Sequence, residues 1–129
     1  MILTRSQLAI VALAAIGAAQ QSAPKFVELQ RHPIPGTALD GVTTVVEIPP
    51  GVTSTRHSHP GEDFGYLISG TIILYVDGRA PQTLHAGDVF ITHRGEIHNA
   101  RNIGNISARA VDTYVIDKGQ PGVIPAPAK

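Results

Sequence analysis

The sequence predicts an all-β sandwich or barrel. Thirteen glycines and ten prolines in 129 residues punctuate it into short runs. Those runs are strand-length and rich in β-branched residues. No segment after Ala19 has helical periodicity long enough to form a helix. Nine or ten short strands at close spacing close on themselves or pack as two sheets.

Composition narrows the function classes. With 43% hydrophobic and 16% charged residues the chain is globular and of one-domain length. Formal net charge is zero, and no basic patch or charge run is present. Nucleic acid and membrane surfaces are therefore not expected as partners, whereas a small-molecule ligand or a metal is. There is no cysteine, so any metal must be held by nitrogen and oxygen.

Taken in order, residues 1–19 read as a signal peptide. Arg5 supplies the positive n-region, Leu8 to Ala19 is apolar, and Gly17 and Ala19 suit a cleavage site before Gln20. The apolar run is too short to span a membrane. The expectation is a periplasmic or secreted protein with no membrane association after cleavage. Residues 20–41 form a linker and an N-terminal strand at Phe26 to Gln30. His32-Pro-Ile-Pro-Gly36 reads as a loop, because proline withholds a backbone donor.

The barrel is expected over residues 42–117. Val42 to Ile48 is a strand, and Pro49-Pro50-Gly51 turns it into the stretch carrying His57 and His59. Pro60-Gly61 turns again, before a strand at Phe64 to Ser69. Thr71 to Val76 is almost wholly apolar, which predicts burial on both faces. Asp77-Gly78 marks a hairpin. Gln82 to Leu84 and Val89 to Thr92 are short strands, and His93-Arg94-Gly95 turns into a strand around His98. Ile103 to Ile106 reads as another hairpin loop. Ala108 to Ile116 is the last long strand. Residues 118–129 form a proline-rich tail, expected to be loose.

The chemistry concentrates between Gly51 and Gly70. Residues i and i+2 of a strand face the same side, so His57 and His59 would present their imidazoles together. A carboxylate just past the turn can complete that side of a metal shell. His98 is the further candidate, carried by a later strand that a small barrel brings opposite. Alternation puts Thr55 on the histidine face and Arg56 away from it.

These residues resemble the cupin family. Its first motif is Gly, five residues, His-x-His, three or four residues, Glu, six residues, Gly; Gly51, His57, His59, Asp63 and Gly70 stand at those spacings, with Asp for Glu. Its second motif is matched by Gly87, Gly95, His98 and Asn102, with His93 where the family has Pro. The resemblance implies a double-stranded β-helix (jelly-roll) barrel in which His57, His59, Asp63 and His98 converge on one divalent transition metal. A shell of three histidines and a carboxylate suits Fe, Mn, Ni, Cu or Zn.

Asp63 is one methylene shorter than Glu, which draws its carboxylate back by roughly 1.5 Å. It then binds directly after a strand shift, binds through water, or leaves a three-histidine site and acts as a base beside the metal. Glu62 should face the other way, as a solvated turn acid. His93 reads as a turn histidine or a proton shuttle; His32 and His85 lie in or beside turns. Phe64, Tyr66, Tyr75 and Phe90 read as core or interface. Arg101 and Arg109 read as solvated strand residues, and Asn102 as a turn or outer contact.

The resemblance leaves two functions open. One is a small metal-dependent enzyme of oxygenase or isomerase type acting on a small oxygen-rich molecule. The other is a non-catalytic binding or sensing module. Cupins of this kind often pair, so a homodimer is expected, with Phe26 to Gln30 adding to a partner's sheet.

Overall fold

A computed structural model of the chain describes residues 22–129; the expected signal peptide and its cleavage point lie outside the described residues. Ten strands follow one another: β1 (Lys25–Pro33), β2 (Leu39–Ile48), β3 (His57–Ser58), β4 (Gly61–Ser69), β5 (Thr71–Val76), β6 (Gln82–His85), β7 (Val89–Thr92), β8 (His98–Asn102), β9 (Ala108–Asp117) and β10 (Ile124–Pro125). They form two five-stranded sheets, ordered β1-β2-β9-β4-β7 and β10-β3-β8-β5-β6, with antiparallel pairing throughout. The all-β prediction holds among the described residues.

Alternation builds the interior. On β9 the buried positions are Ala108, Ala110, Asp112, Tyr114 and Ile116. On β2 they are Asp40, Val42, Thr44, Val46 and Ile48. Leu67, Ile72, Leu74, Val76 and Leu84 pack with Ala108 and Ala110 into one apolar cluster, and Val42, Tyr114 and Ile116 form another. The first cluster lies against the histidines: five of its residues share a cavity with His57 and His98. The removal of its apolar surface from water is the main term holding the sheets face to face.

Four local expectations are corrected. Strand β5 is buried on one face only: Ile72, Leu74 and Val76 point inward, while Tyr75 is exposed. An antiparallel sandwich covers one face of each sheet, so an apolar run need not mean two covered faces. Strand β1 continues through His32 and Pro33; it is an edge strand, where a missing donor is tolerated. The Ile103 to Ile106 loop is no hairpin, because β8 and β9 lie in different sheets. The proline-rich tail is not loose. Its β10 pairs with β3, setting Ile124 against Ser58 and Pro125 against His57.

Candidate metal centre

His57 and His98 face each other across the β3–β8 ladder as a direct register pair. His59 lies just beyond β3, and its ring centroid is 5.1 Å from that of His57 and 4.9 Å from that of His98. One nitrogen of each imidazole can be chosen so that all three lie within 4.8 Å of one another, and all three residues are buried. The spacing expectation for His57 and His59 is met, and β8 brings His98 to the same point.

Each ring is held by its other nitrogen. His57 Nδ1 lies 2.8 Å from the Thr55 carbonyl, His59 Nδ1 2.6 Å from the Gly122 carbonyl, and His98 Nδ1 2.9 Å from the Glu96 carbonyl. A carbonyl only accepts, so each Nδ1 must donate and each Nε2 is left with a bare lone pair. The Nε2 atoms of His59 and His98 stand 3.2 Å apart. Two bare lone pairs at that distance repel unless a cation lies between them. Two nitrogens bound to one metal at about 2.0–2.1 Å, at angles between square and tetrahedral, sit roughly 2.9–3.4 Å apart. The donor set and its spacing fit a divalent metal.

Burial also favours the neutral form of His57 and His98. It pulls His57 below the usual imidazole range, and it pulls His98 down to about 3, helped by the neighbouring His57. Neutral imidazole is the form that binds metal.

Asp63 stands beside this group and is not one of its three members. Its Oδ2 is 3.4 Å from His59 Nε2 and accepts from Thr92 Oγ1 at 3.3 Å, while its Oδ1 is buried without a partner. Glu62 points outward, as alternation predicts. Its Oε2 lies 2.6 Å from His93 Nδ1, and its Oε1 accepts from the Arg94 backbone N–H. His93 is thereby an exposed turn residue occupied by Glu62. Arg56 faces away and pairs with Asp77, at 2.6 Å from Nη2. Asn102 holds its turn, donating to the Ile48 and Ile106 carbonyls and accepting from the Gly104 N–H.

One expected neighbour is displaced. Thr55 is exposed, and Ser54 is buried in its place. Residues 54–56 are not in a strand, so the alternation counted back from His57 slips by one.

Three groups escaped the sequence reading. The Gly122 carbonyl comes from the tail, and no side-chain signal marks a backbone oxygen. Tyr114 stacks on His59 with ring centroids 4.4 Å apart. A side chain on residue 122 would press within 3.1 Å of that tyrosine ring, so glycine lets the tail lie against it. The third group is Asp112. It was legible in principle, as a carboxylate in phase with Ala108, Ala110 and Tyr114 on an otherwise apolar face. Burial pushes its carboxyl well above the usual carboxylate range, and the charge of Asp63 adds to the shift.

Comparison with known proteins agrees with this picture. The family described as "Cupin domain" matches residues 44–114. The chain is 36% identical over 75 residues to the tetracenomycin polyketide synthase protein TcmJ of Streptomyces glaucescens, covering 57% of this chain and 50% of that protein. It spans half or less of the length of the curated relatives it matches. Among solved structures, a double-stranded β-helix protein from Klebsiella pneumoniae superposes with a TM-score of 0.66 at 23% identity, covering 84% of this chain and 90% of that one. Oxalate oxidase in complex with the substrate analogue glycolate also gives 0.66, at 22% identity, covering 84% of this chain and 57% of that one. The two-sheet fold, the motif spacing and a family match spanning both histidine motifs lead to one conclusion: this chain belongs to the cupin family.

Proposed function

We propose that His57, His59 and His98 hold one divalent transition metal, and that the protein is a small metal-dependent enzyme of oxygenase or isomerase type. Its substrate would be a small oxygen-rich molecule. The observation that carries the reading is the set of three Nδ1–H bonds to backbone carbonyls. They fix the tautomers and leave each Nε2 lone pair free, those of His59 and His98 3.2 Å apart, in a group whose ligand atoms lie within 4.8 Å of one another. A metal bound there would supply Lewis acidity or redox chemistry. The chain's own residues would do the rest. Asp63, with one unpartnered carboxylate oxygen, would take a proton from the bound molecule. The apolar wall beside His57 and His98 would exclude bulk water.

A second reading, a binding or sensing module without turnover, is favoured by the tail. The tail lies over His59 and narrows the approach to the centre from that side. Elemental analysis of natively expressed protein, repeated on His98→Ala and Asp63→Ala, tests the site. Near one metal per chain, lost in His98→Ala, is expected; metal-free wild type overturns both readings. Loss in Asp63→Ala as well makes Asp63 a ligand. Turnover of a bound small molecule separates the enzyme from the sensor. The proposed homodimer would form along β1, which among the described residues pairs only with β2 and exposes Val27 and Leu29. Sedimentation showing only monomer removes it.

A further inference from the structure

A partly open cavity of ≈ 40 Å³ lies beside the histidines. At roughly 10–15 Å³ per water centre, that is room for about three waters, or for a molecule of a few non-hydrogen atoms. Its wall is apolar except for Ser54, His57, His98 and Asp112. Ser54 Oγ already accepts from the Ala100 N–H at 3.0 Å. The two imidazoles use their Nδ1 atoms on carbonyls and turn Nε2 to the metal position. Ser54 keeps its O–H to donate, so Asp112 is the one carboxyl in the wall.

Asp112 is 6% exposed, and its Oδ1 is sealed from solvent with no hydrogen-bond partner. Across the ladders it faces Thr44 on β2 and Gly65 on β4. Asp63 lies two residues from Gly65 on the same face, diagonal to Asp112. Nothing in the packing calls for a carboxyl here, and the positions before it in phase are alanines.

We infer that Asp112 is the specificity-determining residue of this cavity, and that its carboxyl accepts a hydrogen bond from the hydroxyl of a two- or three-carbon hydroxy acid held at the histidine centre. The inference rests on the metal reading above and names its substrate class. The cavity sets the size. Either protonation state of a carboxyl accepts from a hydroxyl, and coordination to a metal makes a hydroxyl a stronger donor. A plain carboxylate offers Asp112 no such donor.

The test uses the full chain loaded with Co(II), titrated with glycolate and with acetate, in wild type, Asp112→Asn and Asp112→Val. The Co(II) spectrum and metal content report the centre independently of the acids. Expected are about one Co(II) per chain in all three, and at least about tenfold tighter glycolate than acetate binding in wild type, the worth of one good hydrogen bond. That preference should vanish in Asp112→Val and survive in part in Asp112→Asn, which keeps an acceptor oxygen. An unchanged preference in Asp112→Val overturns the inference, as does a wild type that binds both acids equally or neither. Loss of Co(II) from the variants also overturns it, by making Asp112 a metal ligand. Failure of wild type to take up Co(II) overturns the metal reading and this inference with it.

Discussion

Deleting residues 121–129 tests how far the tail governs the centre. The segment carries the Gly122 carbonyl, 2.6 Å from His59 Nδ1. It carries the β10 pairing with His57 and Ser58, and the Ala126 N–H and Pro127 carbonyl that bond to Arg56 at 3.0 and 3.1 Å. Net hydrogen bonds contribute about 1 kcal/mol each, and those on Arg56 are part-exposed. The truncated protein should lose roughly 2–3 kcal/mol, a fall in Tm of about 8–12 °C for a domain of this size. The local effect is larger in kind. Without an acceptor, His59 is free to rotate and to place its proton on either nitrogen. Loss of such an outer partner lowers metal affinity about 10–100-fold. Metal Kd by chelator competition, with circular dichroism to show that the sheets persist, reads both. Lys129→Ala, which removes only the terminal contact with Asp77, should leave the affinity unchanged. A truncated protein that keeps its β spectrum and binds metal within about twofold of the full chain would refute the positioning role of Gly122.

Other outcomes follow from the same geometry. His57 and His98 have depressed imidazole pKa values in the folded state. The stability this contributes to the metal-free protein is therefore present above about pH 6.5, the unfolded value, and lost as pH falls below it, for His98 down to about 3, by up to about 1.4 kcal/mol per pH unit for each ring; urea midpoints between pH 7 and pH 4 measure it. Asp112 has the opposite sign, because its carboxyl is raised: stability is lost as pH rises through the carboxylate range, and Asp112→Val should raise the urea midpoint at pH 7 by the equivalent of about 1–3 kcal/mol. No gain would mean that the carboxyl has a stabilising partner. Gly65→Ala should destabilise by about 1–3 kcal/mol, since a Cβ there would overlap the Phe90 ring; thermal unfolding checks it, and an unchanged Tm would show that the ring can move aside.

Legibility followed sequence distance. His57, His59 and the glycines around them are set by local turn and strand geometry, so their spacing alone placed two imidazoles together. His98 was reachable because its own motif carries a second set of spacings. Glu62 and Asp63 separated correctly because alternation holds through β4, which runs unbroken from Gly61 to Leu67. The same rule failed at Thr55, where the chain leaves the ladder between Thr53 and His57.

The sequence by itself determined the all-β class, the order of the strands and three imidazoles able to meet, because each depends on local periodicity and turn residues. Only the tertiary structure decided what surrounds them. The β9 register against β4 sets Asp112 diagonal to Asp63. The return of β10 to β3 brings the Gly122 carbonyl to a histidine 63 positions away. Contacts between segments so far apart depend on which strands pair and in what register. That is settled by burying one face of each sheet against the other.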